Sequence, residues 1–310
     1  MRRFGVSIGL LAAILLSGCA RARITTAIKP DGSWTRTVVL TGQEKKEGQM
    51  TPTLDDTFVI PSGAGWKKEE GTKNADRVVT LERSMAAGSS LQADVSVKGG
   101  EPGKLNLVNE VTVTKAGPRR FEYRETLRWK GDPAKSMANI KPEDLARIKG
   151  DLPKALATDA NARALAQKTA ELIIPMLFGP GDPLLAIGLL HPDLAERRAG
   201  QRMGTVMVKV LEEQFGDKMS PAERREVARK MIQGAFSSNK VSPPDPSSPD
   251  QGSKGPALVP LTFIVKTPGR VVSSNGEVDE LAGEVFWALF SEAASFKDVV
   301  LTAVVEVGEK

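Results

Sequence analysis

The chain holds one cysteine and one histidine among its 310 residues, and these two scarcities remove whole classes of chemistry. A single thiol leaves no disulfide to form within the chain. The His/Cys zinc sites need more ligands than one imidazole and one thiolate supply, and a Cys-His catalytic pair would have to use both residues. Also missing is an apolar stretch long enough to cross a bilayer as a helix, which takes about 20 residues. The run from Phe4 to Leu16 is thirteen residues and is soon followed by Arg21 and Arg23, while the stretch from Leu172 to Leu190 is broken by Pro175, Pro180, Asp182 and Pro183. The charge balance is mild: Lys+Arg 43 against Asp+Glu 38 gives +5, which falls to +3 without residues 1–18. That excess does not argue for a nucleic-acid partner. At 40% apolar residues the chain can build a real core, in one large domain or two ordinary ones.

What is present at the N-terminus is an address. Met1-Arg2-Arg3, the apolar run Phe4–Leu16 and then Ser17-Gly18-Cys19 have the three-part layout of a secretory signal. The segment Leu16-Ser17-Gly18-Cys19 resembles the bacterial lipobox, in which the cysteine thiol receives a diacylglycerol before the peptide bond in front of it is cut. The only cysteine of the chain stands at that position. The resemblance implies a signal peptide over 1–18, cleavage between Gly18 and Cys19, and a lipid anchor on Cys19. Two or three acyl chains give nearly permanent attachment, since each buried methylene contributes about 0.8 kcal/mol. Ala20, rather than Asp, after the cysteine matches the outer-membrane sorting pattern if the host is Gram-negative. Arg2-Arg3 lacks the residues that surround a twin-arginine export signal. Gly5-Val6-Ser7-Ile8-Gly9 matches the G-x-S-x-G pattern of serine hydrolases but lies inside the segment that would be removed.

The residues that follow alternate. Ile24 and Ile28, a bend at Pro30-Asp31-Gly32, then Trp34, Val38 and Leu40 predict a β-hairpin. Residues 43–65 read as loop with a short helix, and Val78–Arg83 and Leu91–Lys98 as further strands. The clearest period of two lies in Leu105–Thr114 and Arg120–Lys130, where Phe121, Tyr123, Leu127 and Trp129 share one face. A three-residue loop at Ala116-Gly117-Pro118 predicts Val113 opposite Phe121, Val111 opposite Tyr123 and Asn109 opposite Glu125. Asn109 and Glu125 are thereby expected as a buried polar pair. A carboxylate there would be desolvated, the setting of a general acid or simply of a pair that satisfies itself.

From Asp132 to Ser238 the pattern turns helical. Ser220-Pro221-Ala222-Glu223 is a capping-box start, and Lys141-Pro142, Asp182-Pro183 and His191-Pro192 read as other helix starts. Leu172–Leu190 predicts two short helices bent around Phe178-Gly179-Pro180-Gly181, either buried or touching lipid or a partner. His191 is expected to cap or pack. The Pro/Ser stretch 239–257 reads as a linker, and strands return at Leu258–Lys266, Glu284–Phe290 (with helix as an alternative) and Val299–Val307. The expected fold is α+β: an antiparallel sheet built from 19–131 and completed by 258–310, with 132–238 as a helical insertion.

In Thr262–Trp287 the strand ending at Pro268-Gly269, then Val271-Val272-Ser273-Ser274-Asn275-Gly276 and Val285-Phe286-Trp287, resembles the C-terminal half of LppM-like lipoprotein domains. The lipobox and the Asp-Gly hairpin fit the same pattern, which covers roughly the first thirty mature residues and the last fifty, while the helical block departs from it. The resemblance implies an α+β envelope domain with lipid or cell-surface roles and no defined active site, with Trp287 as core and Asn275-Gly276 as turn. The expected function is a non-enzymatic, membrane-anchored envelope lipoprotein that binds an apolar ligand or an envelope partner, with no cofactor, no metal and no catalytic residues. Two other readings stand beside it: an enzyme using Glu125 as acid, which needs a second carboxylate within about 5–10 Å, and a structural subunit of a surface assembly.

Overall fold

The structure, a computed structural model, describes residues 20–44, 53–99, 105–130, 142–178, 192–238, 259–294 and 297–307. Leu16, Ser17, Gly18 and Cys19, the Gly5–Gly9 pattern, the expected bend at 179–190, His191 and the 239–257 linker lie outside the described residues. The fold class is α+β, with two mostly antiparallel sheets and helices in a separate compact unit.

The first sheet contains β1 (Arg21–Ile28), β2 (Trp34–Gly42), β4 (Lys67–Lys73), β5 (Asp76–Met85), β9 (Pro260–Lys266), β11 (Glu277–Asp279) and β12 (Glu284–Phe290), in the order β11-β12-β9-β1-β2-β5-β4. The second holds β3 (Phe58–Val59), β6 (Ser90–Gly99), β7 (Leu105–Lys115), β8 (Arg120–Lys130), β10 (Arg270–Ser274) and β13 (Val299–Glu306), in the order β10-β13-β8-β7-β6-β3. The single expected sheet is therefore two sheets packed face to face. Ile24, Val38 and Leu40 from one and Leu107, Val111 and Leu127 from the other enter a common core with Trp34, Phe263 and Trp287. Tyr123 stacks on Trp287 across the two sheets, with ring centroids 5.7 Å apart.

The C-terminal strands divide between the sheets because the chain turns two corners. Pro268-Gly269 carries it from β9 to β10, and Asn275-Gly276 carries it back to β11, so Asn-Gly makes a corner rather than a hairpin turn. Both corners need glycine: a Cβ at Gly269 would lie 1.9 Å from the Glu306 carbonyl oxygen, and one at Gly276 would lie 2.5 Å from the Trp287 ring. Asn275 fastens its corner, accepting from Trp287 Nε1 at 2.9 Å and from the Thr302 amide at 2.9 Å. Glu284–Phe290 is strand.

Strand β1 is central. It pairs antiparallel with β2 and parallel with β9, Ile24 facing Val38 on one side and Phe263 on the other. In the β1–β2 bend only Gly32 has positive φ, at 82°. Strand β4, unexpected from the sequence, is an edge of Lys-Lys-Glu-Glu-Gly-Thr-Lys exposed along its whole length, a composition that discourages further pairing. Its turn to β5 is the two residues Asn74 and Ala75, both at positive φ. Helix α1 (Leu54–Thr57), capped by Thr53, is the short helix expected between 43 and 65.

The register of β7 and β8 differs from expectation by two residues: Val113 faces Tyr123, Val111 faces Glu125 and Asn109 faces Leu127. The loop keeps three residues but is Gly117-Pro118-Arg119. Arg120 N–H bonds the Gly117 carbonyl at 3.4 Å, which sets Pro118 at the second turn position, where its fixed φ is favoured. A shift of two preserves which residues face inward.

The helical unit is described by α2 (Pro142–Asp151), α3 (Asp159–Phe178), α4 (Pro192–Phe215) and α5 (Pro221–Ser238). Its core gathers Leu152, Leu156, Leu165, Val210, Leu211, Phe215 and Val227. The capping box forms, with Ser220 N–H on Glu223 at 2.8 Å and Glu223 N–H on Ser220 Oγ at 3.3 Å. Helix α3 runs on through Pro175 to Phe178, the residue at which the expected bend begins. A proline removes a single N–H, and here it falls within the last turn. No helix of the described residues is long and apolar enough to cross a membrane.

Two substitutions should move stability in opposite directions in urea titrations. Gly276→Ala should cost about 1–3 kcal/mol through overpacking against Trp287. Ala75→Gly should gain about 0.5–1 kcal/mol, because glycine tolerates the left-handed conformation that alanine resists, less its own entropy loss.

Candidate functional site

The inner faces of the sandwich are apolar except at one place. On β2 the alternation that buries Trp34, Val38 and Leu40 also buries Arg36. Its β1 neighbour across the ladder, Thr26, is buried as well. From the opposite sheet Glu125 on β8 and Asn109 on β7 point into the same space. Asp94 joins them through an irregularity in β6: pairing passes from Gln92–Glu110 to Ser96–Val108, so extra residues are accommodated on the β6 side. Within that bulge Ala93 takes positive φ, 54°, and Asp94 is turned inward.

The geometry is that of a salt-bridged network. Arg36 Nε donates to Asp94 at 2.6 Å. Its terminal nitrogens donate to both oxygens of Glu125, at 2.6 and 3.1 Å, and to Thr26 Oγ1 at 2.6 Å. Asn109 donates from one amide nitrogen to Asp94 and to Glu125, and its oxygen accepts the Val95 N–H at 2.9 Å, which clamps the bulge. The Tyr123 hydroxyl donates to Glu125. Asn109 and Glu125 thus meet as diagonal neighbours rather than directly opposite.

The electrostatics follow from one cation facing two carboxylates. Burial works against the Arg36 charge, but Asp94 and Glu125 outweigh it and hold the guanidinium well above its ordinary pKa. Burial pushes Glu125 up from the ordinary glutamate value; Arg36 pulls it down and Asp94 adds to the rise. Burial, reinforced by Glu125, also drives the Tyr123 hydroxyl well above its ordinary range.

The second carboxylate that the acid-catalyst reading required is present. Asn109 Nδ2 lies 2.5 Å from Asp94 and 2.6 Å from Glu125, so the two carboxyl groups approach within a glycosidase-like separation. Access is what they lack. The side chains of Arg36, Asp94 and Glu125 are all 0% exposed, and the hydrogen-bonding capacity of Glu125 is taken up by Arg36, Asn109 and Tyr123. The cluster ties the sheets together and holds no open position for a substrate. Among the described residues no group of three or more His, Cys, Asp or Glu side chains could hold a metal ion. The sequence signal for Arg36 was its phase with Trp34 and Val38; Asp94 carried none, because the bulge breaks the alternation.

Elsewhere in the β unit, the large apolar side chains that remain exposed among the described residues are Val59 on β3 at 43%, Val272 on β10 at 42%, Val278 on β11 at 43%, Phe286 on β12 at 37% and Leu281, in the β11–β12 turn, fully open. Trp287 is in the core, and its indole nitrogen is held by Asn275. Cys19 and the residues before it lie outside the described residues, which begin at the buried Ala20.

No protein-family model matches this chain, and no curated protein matches it. Among solved structures, the folded domain of LppM from Mycobacterium tuberculosis is similar at 8% identity, with 94% of this chain and 92% of that chain covered and a TM-score of 0.33.

Two outcomes are expected from the network. Arg36→Met should cost about 3–5 kcal/mol in chemical denaturation by stranding two buried carboxylates, and adding Asp94→Asn and Glu125→Gln should recover part of that loss. The raised pKa of Glu125 means that the folded state keeps a proton which the unfolded chain releases first. Its contribution is therefore complete below about pH 4.5 and declines as pH rises through the folded value. Across that range the stability of the wild type relative to Glu125→Gln should fall with a limiting slope of about 1.4 kcal/mol per pH unit.

Proposed function

We propose that this chain is a lipid-anchored cell-envelope lipoprotein whose folded body is non-enzymatic and binds an apolar ligand or another envelope component. One observation carries the reading: the sequence Leu16-Ser17-Gly18-Cys19 follows a basic end and a short apolar run, and places the only cysteine of the chain at the acylation position. The body supports it in two ways. Its buried pair of carboxylates is sealed by Arg36, Asn109 and Tyr123, which fits a structural staple better than an acid catalyst. Its exposed apolar side chains include the fully open Leu281 and the nearby Phe286 on the strand that follows, groups available for contact with an apolar ligand or partner. Placement at an outer membrane follows from Ala20 only for a Gram-negative host.

Intact-mass measurement of the membrane-extracted protein tests the anchor. The expected mass begins at residue 19 with added acyl chains, and Cys19→Ser should abolish both the acyl mass and membrane retention. A protein cut elsewhere, or free of lipid, would remove the reading. For the body, binding of a fluorescent naphthalene sulfonate probe should fall severalfold in the Leu281→Asp, Phe286→Ser double variant. Unchanged binding would exclude that surface.

A further inference from the structure

Between Cys19 and the first strand stands one residue, and it is not a spacer. Ala20 is 5% exposed, and a Cβ on Gly42 would lie 3.1 Å from the Ala20 Cβ and 3.2 Å from the Leu54 Cβ, so Ala20 is packed into the end of the sandwich. Arg21 opens β1, already paired with Thr41. Consecutive Cα atoms are about 3.8 Å apart, which leaves an acyl group on Cys19 no slack from the fold.

The parts of the sandwich that share this end are fixed by their contacts. The Leu54 amide bonds the Gln43 carbonyl at 3.1 Å, setting α1 beside the end of β2. Lys98, near the end of β6, reaches the Asp55 carbonyl. Trp129 Nε1 bonds the Ser291 carbonyl at 3.1 Å, bringing the end of β8 to the end of β12. The β4–β5 turn projects here too, because Gly42 faces Arg77. This end presents the exposed cations Arg21, Arg23, Lys73 and Lys130. Of its acidic groups, Asp55 is held by Arg77 and Asp298 by Arg128, Asp56 serves the α1 capping box, Asp76 opens β5 opposite Lys73, and Glu44, just past the end of β2, is exposed.

We propose that this end of the β unit is a docking surface for a bilayer carrying anionic phospholipid headgroups, with Arg21 and Lys130 among its contacts. The proposal rests on the acylation of Cys19 proposed above. With no tether to separate body from bilayer, the strand ends around β1 lie at headgroup level. Their cations meet lipid phosphates at distances inside the screening length of about 8–10 Å. The opposite end, with the β1–β2 and β7–β8 loops, then stands a strand's length away, about 30 Å.

The experiment uses the full mature lipidated protein in vesicles of phosphatidylethanolamine with phosphatidylglycerol, and in vesicles of phosphatidylcholine alone. Because acylation consumes the Cys19 thiol, Thr72→Cys near the docking end or Thr114→Cys at the far end supplies a single site for a fluorescent label, read against nitroxide-headgroup lipid. In the phosphatidylglycerol vesicles the label at 72 should be quenched severalfold more than the label at 114. The Arg21→Glu, Lys130→Glu double variant and high salt should each bring the ratio towards one, with an unchanged thermal midpoint showing that the variant folds. Equal quenching at both positions in a protein whose mass includes the acyl chains would overturn the docking and leave the anchor standing. Strong quenching at 72 that is indifferent to lipid charge, salt and the double variant would overturn the anionic partner. A mass without acyl chains would overturn the anchor, and the docking with it.

Discussion

One guanidinium shared between two carboxylates, in a space otherwise filled by aliphatic and aromatic groups, is the constraint on which the β unit depends. Desolvating three ionisable side chains is costly, and only the full set of partners offsets it. Each partner sits where it does for a backbone reason: Arg36 and Thr26 through the β1–β2 register, Glu125 through β8, Asp94 through the bulge in β6. Asn109 completes the set by bonding both carboxylates and the bulge amide. An alternative pairing that moved β2 by one residue would turn Arg36 outward and leave two carboxylates buried without their cation, and one that moved β1 or β7 would take away Thr26 or Asn109 from the charges they bond. The cluster thus adds specificity to a sandwich whose apolar faces alone would tolerate slippage.

Around that point the remaining architecture is arranged by close approach. Gly269 and Gly276 let the chain cross between the sheets where a methyl group would strike backbone or the Trp287 ring. Asn275 then bonds Trp287 of one sheet and Thr302 of the other. Tyr123 belongs to both systems, since its ring stacks on Trp287 while its hydroxyl reaches Glu125. The corner and the ion cluster are parts of one packed region.

Much of this was legible in the chain, for reasons specific to its residues. Phe121, Tyr123, Leu127 and Trp129 alternate without interruption, so the strand and its inner face could be read, and Ser220-Pro221-Ala222-Glu223 announced a helix start. Register was harder, because a period of two is unchanged by a shift of two and the preference of Pro118 for one turn position decides it. Strand β4 has no alternation, since an edge with both faces in water needs none. Division of the C-terminal strands between two sheets depends on corners that look like ordinary turns in sequence. At the candidate site Arg36 stood in phase with core positions and could have been found. Asp94 could not, because the bulge that turns it inward erases the pattern that would reveal it.

The parallel pairing of β1 with β9 sets an order of events for folding. Strand β1 is the first strand of the chain, yet one of its edges stays open until β9 arrives, with Ala22 waiting for Leu261. Between them lies the helical unit, whose local contacts form quickly compared with distant strand pairing. An exposed central-strand edge is a template for wrong partners, so the interval before closure is the vulnerable stage of this protein's life. The two sheets become complete only when the last part of the chain is in hand, and the strand that emerges first is among the last to be fully paired.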